Sequence, residues 1–348
     1  MNKDGKMRTY RFGIIGCGSI AHHHAHSIRE TGRGVITAVC DPSLDKARSF
    51  AEQYGGARSV TDFRALVKSP DVDIVAIGSP SGSHGEMVVA CAEAGKHILC
   101  EKPIAITKQG LDDLVQAVEH HGVKMSSVFQ KRLAPDFIRI KEAVARGVFG
   151  QVFLADAYIK FYRSQEYYDS AGWRGTWEHD GGGALMNQGI HTIDQLLCLA
   201  GDAESVFARV GTKARNIEVE DTAVALVQFK SGAYGVIEGT TSVYPGEQAR
   251  IELHGTNGSV ILADSGIKLW AIEDPPVLED VDLCGNDAST SKDPGNFPKN
   301  SHVELIEDLI ESIDSGRETL IPAREGRKAV DLILAIYESA RTGKEVRL

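Results

Sequence analysis

The residues with the clearest chemical signature lie near the start of the chain, in the stretch GCGSIA from Gly16 to Ala21. An apolar run precedes this stretch and a helical pattern follows it, which gives the order strand, glycine turn, helix. We expect Gly16 to make the tight turn, Gly18 to let a ligand approach the backbone, and Ala21 to let the helix pack closely. The free N–H groups and the dipole at a helix start favour an anion, so Ser19 and Ile20 are candidate phosphate contacts.

A second predicted strand runs from Gly34 to Cys40 and ends at Asp41. An acidic residue about 20 positions beyond such a glycine turn accepts hydrogen bonds from the ribose hydroxyls of a dinucleotide. The Asp41 carboxylate would also repel a 2′-phosphate, so the sequence favours NAD, with NADP the less favoured cofactor. Lys46 and Arg48 lie close enough in the chain to bend towards that phosphate, which keeps NADP open.

Strands and helices alternate from Tyr10 to Ser127, and most of the strands are apolar. This rhythm predicts a parallel sheet with helices on both faces. Ligands of such sheets bind beyond the carboxyl ends of the strands. The further candidates at that edge are Ser79, Pro80, His84, Glu101 and Lys102.

Four histidines, His22, His23, His24 and His26, lie directly after the glycine turn. Such a run suggests a metal site, but it lacks the carboxylate partners and the spacing of known sites. We therefore expect no metal. We also expect at least one of these histidines to face solvent or the phosphates of the dinucleotide.

In the second half of the chain, one stretch is richest in residues that could bind a ligand. It combines Trp173 and Arg174 with a triple glycine and a helix predicted over about 184–199. On that helix Asn187, His191 and Asp194 are spaced i, i+4 and i+7, which places them on one face. A polar stripe of this kind is also typical of an ordinary solvated face. Its imidazole, amide and carboxylate favour a site instead, with the Trp and Arg available for ring stacking and hydroxyl recognition of a sugar.

The rest of the second half alternates as strands. Runs at 152–161 and 206–212 are followed by two hairpins at 222–240 and 250–263, the second with an Asn-Gly turn. This pattern predicts an antiparallel or mixed sheet with one free face, which an oligomer could bury. The stretch 273–300 is poor in apolar residues and predicts a long loop.

Length and composition limit the possible classes of protein. The chain has 348 residues, enough for two domains, which we place at 1–128 and 129–348. The net charge of −10 and the absence of a basic block argue against a nucleic-acid or membrane-surface partner. The apolar runs are too short for a membrane span. Six scattered cysteines without a C-x-x-C pair indicate reduced core residues of a cytoplasmic protein.

The order G-x-G-x-x-A, Asp after strand two, E-K-P and GGG-x-x-x-N-x-G-x-H-x-x-D resembles the Gfo/Idh/MocA oxidoreductases over nearly the whole chain. The resemblance implies a Rossmann domain with a doubly wound parallel sheet, followed by an α/β domain with a large open, mostly antiparallel sheet. It implies NAD- or NADP-dependent oxidation or reduction of a secondary alcohol of a sugar, inositol or sugar nucleotide. It also implies a homodimer or homotetramer formed through the C-terminal sheet.

The resemblance further implies that Lys102 acts as acid and base at the reacting hydroxyl, that the Lys102–Pro103 bond is cis, and that His191 holds the second catalytic position. Asn187 stands where the family often has Asp, and an amide cannot accept a proton at neutral pH. Either the lysine works without a carboxylate partner, or the histidine is the main relay. We expect Asn187 and His191 to face the nicotinamide across from Lys102.

Two other functions remain open at this point. Some relatives are glycosidases that oxidise their substrate transiently and turn over without net NADH. Others are non-catalytic regulators that sense the dinucleotide, although the retention of Lys102 and His191 argues mildly against that function.

Overall fold

The computed structural model describes residues 8–275, 277–279 and 301–348. Its internal contacts divide the chain into two compact units, one of residues 8–130 and 301–327 and the other of the remaining described residues. The sequence-based division differs, because it assigned everything after 128 to the second domain. The structure places 301–327 in the N-terminal unit because the helix Ser301–Ser315 packs against the helix Ser19–Glu30 and the strand Met125–Ser127.

The N-terminal unit is built on a six-stranded parallel sheet in the order β3-β2-β1-β4-β5-β6. This order confirms the predicted doubly wound sheet. Every residue of the fourth strand is buried, as expected for a parallel strand covered on both faces. The strands are β1 (Tyr10–Ile15), β2 (Gly34–Cys40), β3 (Arg58–Val60), β4 (Ile74–Ile77), β5 (His97–Cys100) and β6 (Met125–Ser127).

Amphipathic helices link these strands, and each buries one apolar face. The helix after β1 buries Ala21, Ala25 and Ile28, and small residues let it lie close to the sheet. The helix after β5 starts at the hydroxyl cap of Thr107 and ends at Gly122, which is in the left-handed conformation. These helices are α1 (Ser19–Glu30), α2 (Leu44–Gln53), α3 (Phe63–Val67), α4 (His84–Glu93) and α5 (Lys108–His121).

The second unit contains a nine-stranded sheet among its described residues, in the order β14-β13-β12-β11-β7-β10-β9-β8-β15. All neighbours are antiparallel except the parallel pair β7 and β10, so the predicted open, mostly antiparallel sheet is confirmed. The strands are β7 (Val152–Lys160), β8 (Ala203–Gly211), β9 (Thr222–Phe229), β10 (Tyr234–Thr240), β11 (Arg250–Gly255), β12 (Gly258–Ala263), β13 (Gly266–Ile272), β14 (Val277–Glu279) and β15 (Val346–Arg347).

The loop predicted over 273–300 is wrong at Val277–Glu279, which pairs with β13 as an edge strand. The prediction missed this strand because three residues are too few to show alternation. The part of the predicted loop from 280 to 300 lies outside the described residues.

One face of the large sheet is covered by helices, and the other is open within the described unit. The helices of this unit are α6 (Pro135–Ala145), α7 (Gln165–Asp169) and α8 (Ile190–Ala200). Helix α9 (Ser301–Ser315) belongs to the N-terminal unit, and α10 (Ala323–Thr342) starts within 301–327 and continues into 328–348. Helix α8 is buried along most of its length and packs on β7. The opposite face exposes Phe207, Val224, Leu226 and Tyr234, while the alternate residues of β9 are buried.

Among the described helices, none combines the length and the apolar character needed to cross a bilayer. The five cysteines that the structure describes are all free thiols, and Cys284 lies outside the described residues.

Candidate functional site

The glycine turn is forced by a close approach of two backbone segments. Gly16 has a φ of +87°, and a Cβ added there would lie 2.6 Å from the carbonyl oxygen of Gly78. Gly78 follows the neighbouring strand β4 and donates its N–H to the carbonyl of Ile15. Only glycine satisfies both the positive φ and the contact, so the protein itself requires Gly16.

Gly18 is required by nothing in the described chain. A Cβ built there meets no atom within 4 Å, and the residue is exposed. Gly18 is the N-cap of α1, which has no side-chain cap and no acidic residue in its first turn. The N–H groups at this helix start therefore face outward from an uncapped dipole, which is the arrangement that binds a phosphate. Close approach of a ligand to the backbone would explain why this position is a glycine.

Asp41 lies at the carboxyl end of β2, directly beside the glycine turn. Its Oδ2 accepts from the N–H of Cys17 at 3.1 Å and its Oδ1 from the N–H of Ser43 at 2.9 Å. Each carboxylate oxygen keeps a further lone pair, so the group is oriented and still able to accept from ribose hydroxyls. Burial and the Asp41 charge raise the pKa of the Cys17 thiol to about 12, which keeps that thiol neutral. These residues fit a dinucleotide.

His84 lies on the predicted edge but turns its ring inward. The side chain is 1% exposed, with Nδ1 2.7 Å from the carbonyl oxygen of Pro103 and Nε2 2.8 Å from that of Ser79. Burial lowers the pKa of His84, although both carbonyls oppose that shift. The ring therefore holds together the two segments that carry Ser79 and Pro103, while Pro80 is exposed beside them.

Glu101 and Lys102 follow β5, and the Lys102–Pro103 bond is cis as predicted. Glu101 is buried, and its Oε1 lies 2.9 Å from Nε2 of His24 and 3.7 Å from Nε2 of His302. Its Oε2 accepts from the N–H of Lys102 at 3.3 Å. Burial alone would raise the pKa of the Glu101 carboxyl, but the two histidines outweigh burial and hold it well below the ordinary value.

The histidine run does not act as one group. His22 contacts the hydroxyl of Tyr54 at 2.9 Å, and His26 pairs with Glu30. The His26 side chain is 72% exposed, which confirms that one member faces solvent. His24 alone is fully buried.

The structure joins His24 to two residues from elsewhere in the chain. Donor atoms of His24, Glu101 and His302 lie within 4.8 Å of one another, and this is the described set that could hold a divalent cation. No pattern in the sequence links His302 to His24 and Glu101, because His302 lies in the first turn of a helix more than 200 positions later. Ion pairing and hydrogen bonding within the set account for Glu101 without a metal.

In the second unit, the triple glycine is shaped by a buried carboxylate that sequence reasoning missed. Glu220 is 2% exposed and accepts from the N–H groups of Gly183 at 3.0 Å and Leu185 at 2.9 Å. The hydroxyl of Tyr337 donates to the same carboxylate at 2.8 Å. A Cβ on Gly183 would lie 2.1 Å from the Glu220 carbonyl oxygen, so the glycine allows this close approach.

The predicted helix over 184–199 begins with a π-helical turn, Ala184–Gly189, and becomes α-helical at Ile190. Two residues of its polar stripe are buried, His191 with 9% and Asp194 with 1% exposure, and Asn187 is half-buried. Asp194 forms a two-pronged ion pair with Arg132, with distances of 2.6 and 2.7 Å. The solvated-face interpretation of the stripe is therefore wrong.

Asn187 is held at both ends of its amide. Its Nδ2 donates to Oδ1 of Asp180 at 2.5 Å, and its Oδ1 accepts from Nε2 of Gln188 at 2.6 Å. The Gln188 amide also donates to the hydroxyl of Tyr167 at 3.1 Å, and its Oε1 accepts from Nε of Arg163 at 3.0 Å. Asn187 and Gln188 thus belong to one hydrogen-bond network, which the spacing of Asn187 in the sequence could not predict.

Trp173 and Arg174 lie beside that network. The Arg174 guanidinium is 4.3 Å from the ring centre of Tyr167 and 4.7 Å from that of Trp173. Both residues are half-buried, and their predicted contact with a sugar stays a prediction.

Two family models match the chain. One, described as an oxidoreductase family with an NAD-binding Rossmann fold, matches residues 10–129, and the other, the GFO/IDH/MocA C-terminal domain, matches residues 137–261. The chain belongs to the Gfo/Idh/MocA oxidoreductases. Its first unit therefore has the NAD-binding Rossmann fold of the family.

Three similar proteins illustrate the family. The WlbA dehydrogenase of Chromobacterium violaceum, solved with NADH and UDP-GlcNAcA, is 34% identical with a TM-score of 0.88, covering 99% of this chain and 97% of that one. The WlbA dehydrogenase of Bordetella pertussis, solved with the same ligands, is 32% identical with a TM-score of 0.86, covering 98% and 99%. Myo-inositol 2-dehydrogenase of Thermotoga maritima is 28% identical over 347 residues, covering 97% of this chain and 98% of that protein.

Lys102 belongs to the N-terminal unit, and Asn187 and His191 belong to the second. Their joint action on one substrate stays a prediction.

His24, Glu101 and His302, which we call the Glu101 cluster, allow a prediction of how the stability of the protein depends on pH. The pKa of Glu101 is lower in the folded protein than its ordinary value of 4.5, so the charged carboxylate stabilises the fold fully at pH values above 4.5. This contribution is lost as the pH falls from 4.5 towards the folded-state pKa. We expect Glu101→Gln to lower the free energy of unfolding at pH 7 by about 3 kcal/mol. The deficit should persist at pH 5 and shrink towards pH 3.5, as measured by chemical denaturation.

Glu86→Gln is the matched control, because Glu86 makes an exposed ion pair with Arg64 in the same unit. That change should cost less than about 1 kcal/mol. A Glu101→Gln deficit that stays constant from pH 7 to 3.5 would contradict the paired state of this carboxylate.

Proposed function

We propose that this protein is an NAD-dependent oxidoreductase that transfers a hydride between the nicotinamide and a secondary alcohol of a sugar, sugar nucleotide or cyclitol. The observation that carries the proposal is the uncapped start of α1 beside Gly18, a glycine that packing does not require. The ligands in the names of the similar proteins support the substrate class, since they include both a sugar nucleotide and an inositol.

The residues that hold the dinucleotide follow from the geometry of the first unit. Gly16 shapes the turn, and the N–H groups of Ser19 and Ile20 bind the pyrophosphate across Gly18. Asp41 accepts from the adenine ribose, and Ser79 and Pro80 lie along the strand edge. The bound nicotinamide supplies the hydride acceptor or donor. His84 and Glu101 are positioning residues, because both are buried and hold the edge segments.

Proton transfer falls to Lys102. In oxidation its amine accepts the hydroxyl proton, and in reduction its ammonium returns it. His191 assists this transfer, and Asn187 hydrogen-bonds to substrate hydroxyls through the donor and acceptor capacity that its two amide contacts leave. Trp173 and Arg174 bind the substrate beside them.

Removing the proton carrier separates catalysis from binding. We expect Lys102→Ala to lower kcat by ~10²–10⁴-fold, since that is what a general acid–base group typically contributes. NAD affinity, measured by calorimetry, should stay within a few-fold because the lysine does not carry the pyrophosphate. Lys68→Ala, an exposed lysine of the same unit, is the control. NADH formation is followed with a sugar and cyclitol panel, and a normal kcat in the variant would exclude Lys102 as the carrier.

The Asp41 carboxylate sets the cofactor preference. We expect the protein to bind NAD at least about tenfold more tightly than NADP, because the carboxylate repels a 2′-phosphate. Asp41→Ala should reduce this preference for NAD over NADP. Asp45→Ala, at the exposed start of α2, should leave the preference unchanged. Titration of each variant with both cofactors measures the ratio. Tighter binding of NADP by the unchanged protein would refute the assignment.

We also propose that the open face of the large sheet forms a homodimer or homotetramer. Phe207, Val224, Leu226 and Tyr234 expose a contiguous apolar surface there, and such surfaces are typical of subunit interfaces. Leu226→Glu should reduce the molar mass seen by light scattering to that of a smaller assembly. Leu320→Glu, an equally exposed leucine of the N-terminal unit, should leave the mass unchanged. A monomeric unchanged protein would disprove this assembly.

A further inference from the structure

The buried face of α1 contains one residue that packing alone does not favour. Four of its five buried residues are small or apolar, namely Ala21, Ala25, Ser27 and Ile28. They follow the spacing of a helix face that packs against a sheet. The fifth is His24, whose side chain has no exposure to solvent. A buried imidazole has lost its hydrogen bonds to water, so it needs a partner inside the fold.

The ring of His24 finds that partner in Glu101, and its other nitrogen gives the direction of the bond. Nδ1 of His24 is buried and meets no hydrogen-bond partner among the described residues. A proton on Nδ1 would be an unsatisfied buried donor, so a neutral ring carries its proton on Nε2. Nε2 lies 2.9 Å from Oε1 of Glu101, and the carboxylate therefore accepts from it.

His302 approaches the same carboxylate from a different helix. It is buried in the first turn of α9, and its ring centre lies 5.7 Å from that of His24. Its Nε2 is 3.7 Å from Oε1 of Glu101, within the range of an ion pair. Two imidazoles from two helices are therefore held against one oxygen of this carboxylate.

The other oxygen of Glu101 contacts the backbone of the proposed proton carrier. Oε2 accepts from the N–H of Lys102 at 3.3 Å. Pro103 follows directly, and its carbonyl oxygen is the one that the ring of His84 holds at 2.7 Å. The backbone from which the Lys102 side chain extends is therefore attached to α1 and α9 through a single carboxylate.

His24 also lies close to the glycine turn. A Cβ added to Gly78 would lie 2.9 Å from Cγ2 of Ile20 and 3.9 Å from Cε1 of His24. Gly78 is the residue whose carbonyl oxygen approaches Gly16. One buried ring thus lies beside both the glycine turn and the segment that carries Lys102.

A gain in stability does not account for this arrangement. Taking a carboxylate and two imidazoles out of water has a large desolvation cost, and well-packed apolar residues of similar volume often stabilise a fold as well or better. What the polar groups provide is a fixed geometry. We infer that His24 and His302 are positioning residues for Lys102, acting through Glu101. This role rests on the proposed function for the part that Lys102 takes in proton transfer.

Variants of His302 test this role in turnover. We expect His302→Ala to lower kcat about tenfold, because a misplaced catalytic group loses rate steeply, and to leave the NAD affinity within a few-fold. His302→Gln should retain most of kcat, since its amide can place a donor near the position of Nε2. His121→Ala is the control and should leave kcat unchanged, because His121 is an exposed histidine of the same unit at the end of α5.

A double variant tells whether His302 acts through Glu101. Glu101→Gln should lower kcat about 10–100-fold, because one amide cannot accept on both sides as the carboxylate does. Adding His302→Ala to Glu101→Gln should then lower kcat by less than about twofold more. If the two losses multiply in full, the two residues act independently and the inferred role is wrong.

Exchange of the Lys102 backbone amide gives a readout that does not depend on turnover. Hydrogen exchange is measured by mass spectrometry on the protein without ligands, in peptides that contain Lys102. His302→Ala should raise the exchange rate of this amide about tenfold and leave peptides of β1 and β4 unchanged. His24→Leu should do the same if it folds, and otherwise the His302 variants carry the test. Faster exchange spread over the whole unit would indicate a purely structural role and overturn the inference.

These measurements separate the positioning role from the proposed function. Turnover by the unchanged protein together with a normal kcat in His302→Ala would overturn the role and leave the oxidoreductase standing. A lower kcat with normal exchange at the Lys102 amide would also overturn it. A selectively loosened Lys102 amide in His302→Ala, with no oxidation of any alcohol by the unchanged protein, would support the positioning of Lys102 and contradict the proposed function.

Discussion

The contact between Gly16 and Gly78 is the constraint on which the nucleotide-binding half depends. The two glycines bring the ends of β1 and β4 to backbone contact, at a distance that no side chain permits. This approach fixes where α1 begins, and it places the N–H of Cys17 against Asp41 at the end of β2. The proposed phosphate site and the proposed ribose acceptor therefore both depend on this one backbone contact.

The glycine turn of the second unit differs from that of the first in the charge that lies at the helix start. In the described part of the chain, the start of α1 has no side-chain cap and no acidic residue in its first turn, so an anionic ligand is favoured there. At Gly183 the absent side chain admits Glu220, whose carboxylate accepts from two N–H groups of the helix start. Burial raises the pKa of this carboxyl while those N–H groups and Tyr337 oppose the shift. One glycine turn is the proposed phosphate site, and the other is filled by the protein's own carboxylate.

Local patterns in the sequence predicted the parallel sheet, both hairpins and the glycine turn, because each depends on neighbours in the chain. Such local patterns could not predict contacts between residues that lie far apart in the chain. His302 completes the Glu101 cluster from a late helix, and Glu220 shapes a turn that precedes it. His84 shows the same limit, since its position on the edge was predicted but the inward direction of its ring depends on Pro103.

The N-terminal unit is not a continuous piece of chain, because residues 301–327 complete it after the large sheet has been made. The second unit in turn includes residues 328–348, whose Ser339 hydroxyl accepts from the N–H of Ala208 on β8. During synthesis each unit receives its last packing elements only when residues 301–348 emerge from the ribosome. The apolar surfaces that these residues cover stay exposed on the nascent chain until then, and such surfaces are prone to aggregation.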